Sequence, residues 1–546
     1  MNMVKRVAAS FADLRGIKNF ALLFAGALLS SLPFMTKSMA ASAEIVSFTA
    51  IFGWIGLSLL FVTIFDFRKS LKRVLYSLFC FFFVFYFFVY SWFISLYPLD
   101  FAGFGKIESI GVILIPVTLI PLIHSAIMTF GVFPGYLAAR KINNDALRVI
   151  VVSFGYVIGE YLQSVGTFAF PWTRLFVGQT AFPWLLQTAS LFGSYFVTFV
   201  MVLVNAFLAM SLLKAGEKTK KCLVYALAAL LLFSVNLVFG VVRMQTENNS
   251  GKELSVTVLQ GNIPSGVKWS GEIDEKQIYL DLAKSVKNEK NDITVMPETA
   301  FPVILYPYDG YDSREEKTLE QIAEMLDTEI FTGAFNKENG NRYNSIFVYN
   351  SDGIVTEPYN KNNIVPFGEY LPYRSIIETI LPVLAEINML SYDLAPGEDF
   401  MPRETESGMA ACLVCFDSIF PETARKQIKN GGEFVVVVTN DSWYKTSSAI
   451  YQHADHSVMR AIENNVPVIR SANTGVSRII DGKGRIVGQT KVNERCTLSG
   501  KVSFAQSTTL YTRIGDVFVG VAFVSVLLVL AFCKKKKPFI TENERQ

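Results

Sequence analysis

Apolar residues follow two regimes along the chain. From residue 18 to 242 they form long runs, near 18–34, 43–66, 74–97, 108–133, 146–166, 184–213 and 221–242, and one more run lies at 515–533. A helix that crosses a bilayer needs about 20 mostly apolar residues, because it rises 1.5 Å per residue through a hydrocarbon layer about 30 Å thick. The runs therefore predict seven spanning helices before the middle of the chain and an eighth near its end. The first run is short. Its basic flank (Lys5, Arg6, Arg15, Lys18) and the small-residue stretch SMAASA at 38–43 also fit a signal peptide. Keeping it as a span gives the more consistent pattern of loop charges.

From about 243 to 514 the period changes. Short β-branched runs read as buried strands: LSVTVLQ, DITVMPE, EIFTGAF, NSIFVYN, AACLVCF, EFVVVVTN and PVIRSAN. Amphipathic helices lie between some of them. One starts at Ser313 with Glu316 at capping-box spacing and places Leu319, Ile322, Ala323 and Leu326 on one face. Two others run from about Glu422 to Asn430 and through Asp455 to Asn464. Continuous apolar strands alternating with helices predict an α/β sandwich with covered sheets.

Charge sharpens the division. Of the 546 residues 51% are hydrophobic and only 18% charged, against roughly a quarter charged in ordinary soluble domains. A net charge of +3 does not argue for a nucleic-acid partner, and the basic residues cluster beside the apolar runs. Alternate loops carry Arg68, Lys69, Lys72 and Arg73, then Arg140, Lys141 and Arg148, then Lys214, Lys218, Lys220 and Lys221. Lys- and Arg-rich loops stay in the cytoplasm. The expected organisation is a membrane domain of seven helices at 1–242 and an extracytoplasmic domain at 243–514. An eighth helix at 515–533 and a basic cytoplasmic tail at 534–546, with Lys534 to Lys537 as its anchor, complete it. Both termini are then cytoplasmic. Glu160 is the main charge expected inside a span, too little to mark the ion or substrate path of a transporter.

In covered parallel sheets, chemistry gathers beyond the strand ends. Three reactive side chains fall there: Glu298 after ITVMP, Cys415 after AACLV, and Lys361 between strands in YNKNNIVPFGEY. A carboxylate, an ammonium and a thiol form a coherent set for acyl transfer. The carboxylate accepts the thiol proton, and the ammonium favours the thiolate and a tetrahedral oxyanion. Each type taken alone is ordinary surface or core. Cys412 and Cys415 form a C-x-x-C without the further ligands a zinc site needs, and an extended strand would point them to opposite faces. His453 and His456 are expected to support a loop rather than to ligate metal. No cofactor and no metal is expected.

The segments QGNIPSGVKW, MPETAFP, TGAFNKENGNRYNS, YNKNNIVPFGEYLPYRS, LAPGEDF, CFDSIFPE, TNDSWY, MRAIENNVPVIRSANTGVSRIIDGKGRI and LYTRIGD occur in order through the soluble region. With them the region resembles the nitrilase (carbon–nitrogen hydrolase) superfamily. Together with FPWTRL and GSYFVTFVMVLVNAFLA in the membrane part, the whole chain resembles the apolipoprotein N-acyltransferase family. The resemblance implies a polytopic α-helical membrane domain of about eight spans joined to a nitrilase-like αββα sandwich. It implies Cys415 as nucleophile, Glu298 as general base and Lys361 as oxyanion-stabilising cation. Glu369 matches a supporting glutamate, Trp269 matches an aromatic on the substrate side, and Trp443 lies in the matching TNDSWY.

Four positions depart from the family pattern. Phe416 and Asp417 stand where Tyr and Glu are usual, Asn363 replaces a His, and Lys445 replaces a Gly. A turn needing positive φ would be strained at Lys445, so that loop is expected to differ. The resemblance further implies a ping-pong reaction at a bacterial inner membrane, with the catalytic domain periplasmic. A membrane phospholipid is the acyl donor and a diacylated apolipoprotein the acceptor. The apolar segments FPVILYPYDGY at 301–311 and IIETILPVLAEINML at 376–390 are expected to lie against lipid. The rival readings are a membrane-tethered amidase acting on a small amide, and a transporter or sensor whose outer domain only binds.

Overall fold

The computed structural model describes the chain apart from residues 1–13, 40–47, 66, 68, 100–102, 247–248, 269–270, 306–313, 381–392 and 534–546. The expected Ser313 cap, Trp269, most of the two apolar segments and the tetralysine tail therefore lie outside the described residues.

Each predicted span corresponds to a helix. In chain order these are α1 (Leu14–Met35), α2 (Phe52–Ile64), α3 (Leu71–Val89), α4 (Lys106–Ala139), α5 (Asp145–Leu162), α6 (Ser194–Gly216) and α7 (Lys221–Gln245). By length and composition, Lys18–Met35, Leu71–Leu96, Lys106–Ala139, Ser194–Gly216 and Lys221–Gln245 are long and apolar enough to cross a membrane, and Phe48–Ile64 and Val517–Phe532 are shorter apolar helices. The run expected from 184 is broken. Gln187, Thr188 and Ser190 sit in short turns before the helix proper starts at Ser194: Gln187 and Ser190 bond to nearby carbonyls, and Thr188 donates to Asn236 Oδ1 on α7. Small residues let α4 and α5 approach closely: a Cβ on Gly131 would lie 2.3 Å from the Gly159 Cα. Glu160 is no open path. It is buried, accepts from Thr198 Oγ1 at 2.6 Å and from the Leu175 N–H at 3.0 Å, and lies 3.8 Å from Arg174 Nε.

The soluble region is a four-layer sandwich. Its first sheet runs β13–β1–β2–β3–β4–β5, with β1 Asn249–Gln260, β2 Ile293–Val295, β3 Glu329–Glu338, β4 Asn341–Asn350, β5 Gly353–Ile354 and β13 Cys496–Ala505; β6 (Tyr359–Asn360) pairs with β4. The second runs β12–β11–β10–β9–β8–β7, with β7 Arg403–Thr405, β8 Gly408–Val414, β9 Phe434–Thr439, β10 Val468–Ala472, β11 Arg478–Ile480 and β12 Ile486–Gln489. The centres are parallel, β1–β2–β3 in one sheet and β8–β9–β10 in the other.

Strand alternation decides which residues meet. Val256, Val258 and Val295 face Cys412, Val414, Val436 and Val438 between the sheets. On the outer face of the first sheet pack α8 (Glu275–Val286) and α9 (Arg314–Leu326), the latter through Leu319, Ile322, Ala323 and Leu326 as its spacing predicted. On the outer face of the second lie α10 (Pro421–Lys429) and α11 (Ser448–Asn464), which starts seven residues before the expected Asp455. This layer sits between the sheet and the membrane helices. One apolar core runs from Val435 and Val437 through Val458 and Ile462 to Trp172 and Met201. The last helix, α12 (Val517–Phe532), leaves this layer and packs beside α5.

Candidate active site

Parallel strands deliver Glu298 and Cys415, and the antiparallel β6 delivers Lys361. Glu298 follows β2 and sits against β3, where only a glycine fits: a Cβ on Gly333 would lie 2.5 Å from the Glu298 Cα. Lys361 prolongs β6, its N–H donating to the Asn344 carbonyl at 2.9 Å. Cys415 stands just past β8 with φ +49, a left-handed conformation that turns the chain sharply at the thiol. Glu298, Lys361 and Glu369 are at least nine-tenths buried.

A hydrogen-bond network joins them. Lys361 Nζ donates to Glu369 Oε1 at 2.9 Å and lies 2.8 Å from Oε2. Asn344 Nδ2 donates to both carboxylates, to Glu298 Oε1 at 2.6 Å and to Glu369 Oε1 at 2.9 Å. The Asn440 N–H, at the end of β9, holds Glu298 Oε2 at 2.7 Å. Burial opposes the charge on Lys361, but Glu369, then Cys415, Glu298 and Asp417 outweigh it and hold the ammonium above its ordinary value. Burial pushes the Cys415 thiol well up, the Glu298 charge pushes it further, and Lys361 pulls against both.

Two of the positions that depart from the family pattern, Asn363 and Asp417, meet each other. Asp417 is buried, and its Oδ1 accepts from the Asn363 N–H at 2.7 Å and from Asn363 Nδ2 at 2.9 Å. Its Oδ2 accepts from Tyr359 OH at 3.0 Å and from the Val414 N–H at 3.2 Å, which fastens the turn on either side of Cys415. The Phe416 ring lies 5.9 Å from Phe170 and 5.3 Å from Phe420 and borders a cleft of about 420 Å³. Trp443 is half-buried in the turn after β9. The expectation for Lys445 is corrected. The turn keeps its positive φ, at +52, and the lysine adopts it. Its Nζ donates to the Leu96, Tyr97 and Pro98 carbonyls at 3.1, 2.6 and 3.4 Å, fixing the end of the 3-10 turn that follows α3.

His453 supports a loop as expected; that the loop lies behind the nucleophile, braced by Asp441 and Arg470, was not read from the sequence. His453, on α11, has Nε2 3.1 Å from the Cys415 carbonyl oxygen and Nδ1 2.8 Å from Asp441 Oδ1. Arg470 NH2 donates to Asp441 Oδ2 at 2.9 Å. Burial opposes ionisation of Asp441, yet Arg470 and His453 hold it down to about 2. Lys268 was also missed: buried, it donates to the Glu298 carbonyl at 3.1 Å and to Thr299 Oγ1 at 2.8 Å, and burial pushes it down to about 8. Trp92, Trp172, Phe170 and Tyr444 form an aromatic wall on the side of the membrane helices, Trp172 stacking 5.2 Å from His453. Among the described residues no group of three or more His, Cys, Asp or Glu is placed to hold a metal ion. Cys412 is enclosed in the inter-sheet core while Cys415 lies beyond the strand.

Two families match this chain: Carbon-nitrogen hydrolase over residues 255–511, and Apolipoprotein N-acyltransferase N-terminal domain over residues 38–207. The apolipoprotein N-acyltransferase of Geobacter metallireducens is 32% identical over 444 residues, covering 79% of this chain and 82% of its own. That of Rhodopseudomonas palustris is 29% identical over 432 residues, covering 74% and 77%. Among solved structures, Saccharomyces cerevisiae Nit3, a member of branch 10 of the nitrilase superfamily, is similar with a TM-score of 0.36 and 17% identity, covering 47% of this chain and 92% of its own. Identity at that level over most of both chains, with both halves matched in order, shows that the chain belongs to the apolipoprotein N-acyltransferase family.

Proposed function

We propose that this protein transfers an acyl chain from a membrane phospholipid to the N-terminal α-amine of the diacylglyceryl-cysteine of apolipoproteins, through a thioester on Cys415. One observation carries the reading: buried Glu298 and Lys361 and the half-buried Cys415 lie beside an aromatic wall of Trp92, Phe170, Trp172 and Tyr444, three of them from the connections between the apolar helices. Such a wall excludes water and suits a lipid chain better than a small amide.

In the first half-reaction Glu298 takes the thiol proton as Cys415 Sγ bonds to the ester carbonyl carbon. Lys361 offsets the oxyanion. The intermediate collapses by breaking the ester C–O bond, and the proton held on Glu298 passes to the departing lysophospholipid. In the second half-reaction the acceptor amine attacks the thioester, Glu298 accepts its proton, and the C–S bond breaks. The thiolate regains the proton and an amide is released. Glu369 and Asn344 position Lys361 and Glu298, and Asp417 holds the turn carrying the nucleophile.

Loop charges support cytoplasmic termini and a periplasmic catalytic domain at a bacterial inner membrane. Tyr373, Ile376 and Ile380, exposed where the apolar 376–390 segment begins, support contact with the outer surface of the bilayer. The test is intact mass spectrometry of purified protein incubated with phospholipid, beside Cys415→Ala. The expected result is a fatty-acyl adduct on the unaltered protein only, discharged by a diacylated lipopeptide. Absence of the adduct together with turnover of small amides would replace the transferase with a tethered amidase.

A further inference from the structure

The helix that leads into the catalytic domain, α7, is the one most open to lipid. Leu223, Val224, Leu227, Leu230, Leu231, Val235 and Val238 are exposed, and only Ala229, Asn236 and Gly240 are buried. The apolar surface stops at Val242. The next residue, Arg243, enters a cleft of about 580 Å³ bounded by the β11–β12 turn and by residues 507–510 ahead of α12. Leu191, Phe239 and Val242 give the lining its apolar part, and Ser507, Thr508 and Lys483 a polar one.

Two cations are gathered there. Arg243 NH2 and Lys483 Nζ both donate to Asn465 Oδ1, at 3.2 and 3.1 Å, so one amide oxygen holds both heads together. Among the described residues neither forms an ion pair; Asp481, paired with Arg485 at 3.3 Å, offsets part of both charges from farther away. Burial, then the charge of Arg243, pushes Lys483 down to about 8. Two half-buried like charges cost free energy unless an anion joins them. The apolar side of the cleft continues the lipid-facing surface of α7, which selects an anion carried by a lipid over a free one.

We propose that this cleft binds the phosphodiester of an anionic phospholipid, its acyl chains lying along α7, at a site separate from the thiol. Asn465 ends α11, twelve residues from His453, or about 18 Å along the helix. The proposal rests on the reading of α7 as a membrane span and is independent of the acyl transfer.

The experiment is native mass spectrometry of the full chain in nonionic detergent, in the Cys415→Ala background where no acyl chain is consumed. Equal phosphatidylglycerol and phosphatidylcholine of the same chains are added. The expected result is one phosphatidylglycerol retained at least ~10-fold over phosphatidylcholine, with Lys483→Glu reducing the preference to parity. Lys483 lies in a half-exposed turn, and an unchanged melting temperature without lipid verifies that Lys483→Glu folds; Lys483→Gln, expected to weaken retention in the same direction, replaces it if it does not. Equal retention of the two lipids, or a preference that survives both substitutions, overturns the site. So does inorganic phosphate displacing the lipid at millimolar concentration, which would mark a free-anion site. An acyl adduct in the unaltered protein with no headgroup preference would sink this proposal and leave the transferase reading standing.

Discussion

Replacing Glu298 by Gln separates the thiol's acidity from its use. Both oxygens of Glu298 are occupied, one by Asn344 Nδ2 at 2.6 Å and the other by the Asn440 N–H at 2.7 Å. A glutamine of the same shape keeps one of these and turns its own NH2 toward a donor at the other. Losing one hydrogen bond to a charged group costs about 1.5–3 kcal/mol of local stability. The charge itself acts on Cys415. After burial, the Glu298 carboxylate is the next largest influence raising the thiol, so its removal lowers the thiol pKa. A unit charge within a few ångströms, in an effective dielectric of about 20, is worth on the order of 3 kcal/mol, or about two pKa units. The midpoint of the pH–rate curve for alkylation of Cys415 by iodoacetamide should therefore move down by about one to two units. Acyl transfer at neutral pH should fall about 10²- to 10⁴-fold, because the base is gone. The two readouts move in opposite senses, a more acidic thiol and a slower enzyme. An alkylation midpoint that rises or stays fixed in Glu298→Gln would refute the electrostatic account of the site.

Gly333→Ala should lower kcat about 10- to 100-fold with little change in lipid affinity, since a Cβ 2.5 Å from the Glu298 Cα displaces the base and ångström-scale misplacement costs about that much; steady-state kinetics on vesicles measures it. His453→Gln removes the imidazole behind the Cys415 carbonyl and should reduce kcat more than KM, with about 1–2 kcal/mol lost in thermal unfolding; a purely structural role would lower stability without shifting the alkylation profile. Lys445→Ala loses the cap on Leu96, Tyr97 and Pro98 while keeping φ +52, and should destabilise by about 1–3 kcal/mol. Lys445→Gly relieves the strain and should cost less; the reverse order in melting temperature would contradict this account.

Much of the site was legible because its residues end strong strands. ITV, AACLV and FVVVVT read as buried parallel strands, and parallel strands deliver their C-terminal neighbours to one edge. Asn344, Asn440 and His453 were not legible as partners. Asn440 meets a carboxylate 142 residues away, and His453 lies on a helix whose start was read too late. Hydrogen bonds across such separations leave no period in the chain.

Local chemistry alone determined the long helices, the β-branched strands and the identities of Glu298, Lys361 and Cys415 as candidates, since each follows from apolar run length, alternation or motif. Tertiary structure alone decided that Asn363 and Asp417 bond to each other, that Phe416 stacks near Phe170, and that Lys445 keeps its left-handed turn by capping a distant one. It also decided that Arg243 and Lys483 share one acceptor. The reason is common to all four: side-chain direction and partner choice are set by the closing of sheets and helices in space, and that closure is not encoded at any fixed spacing.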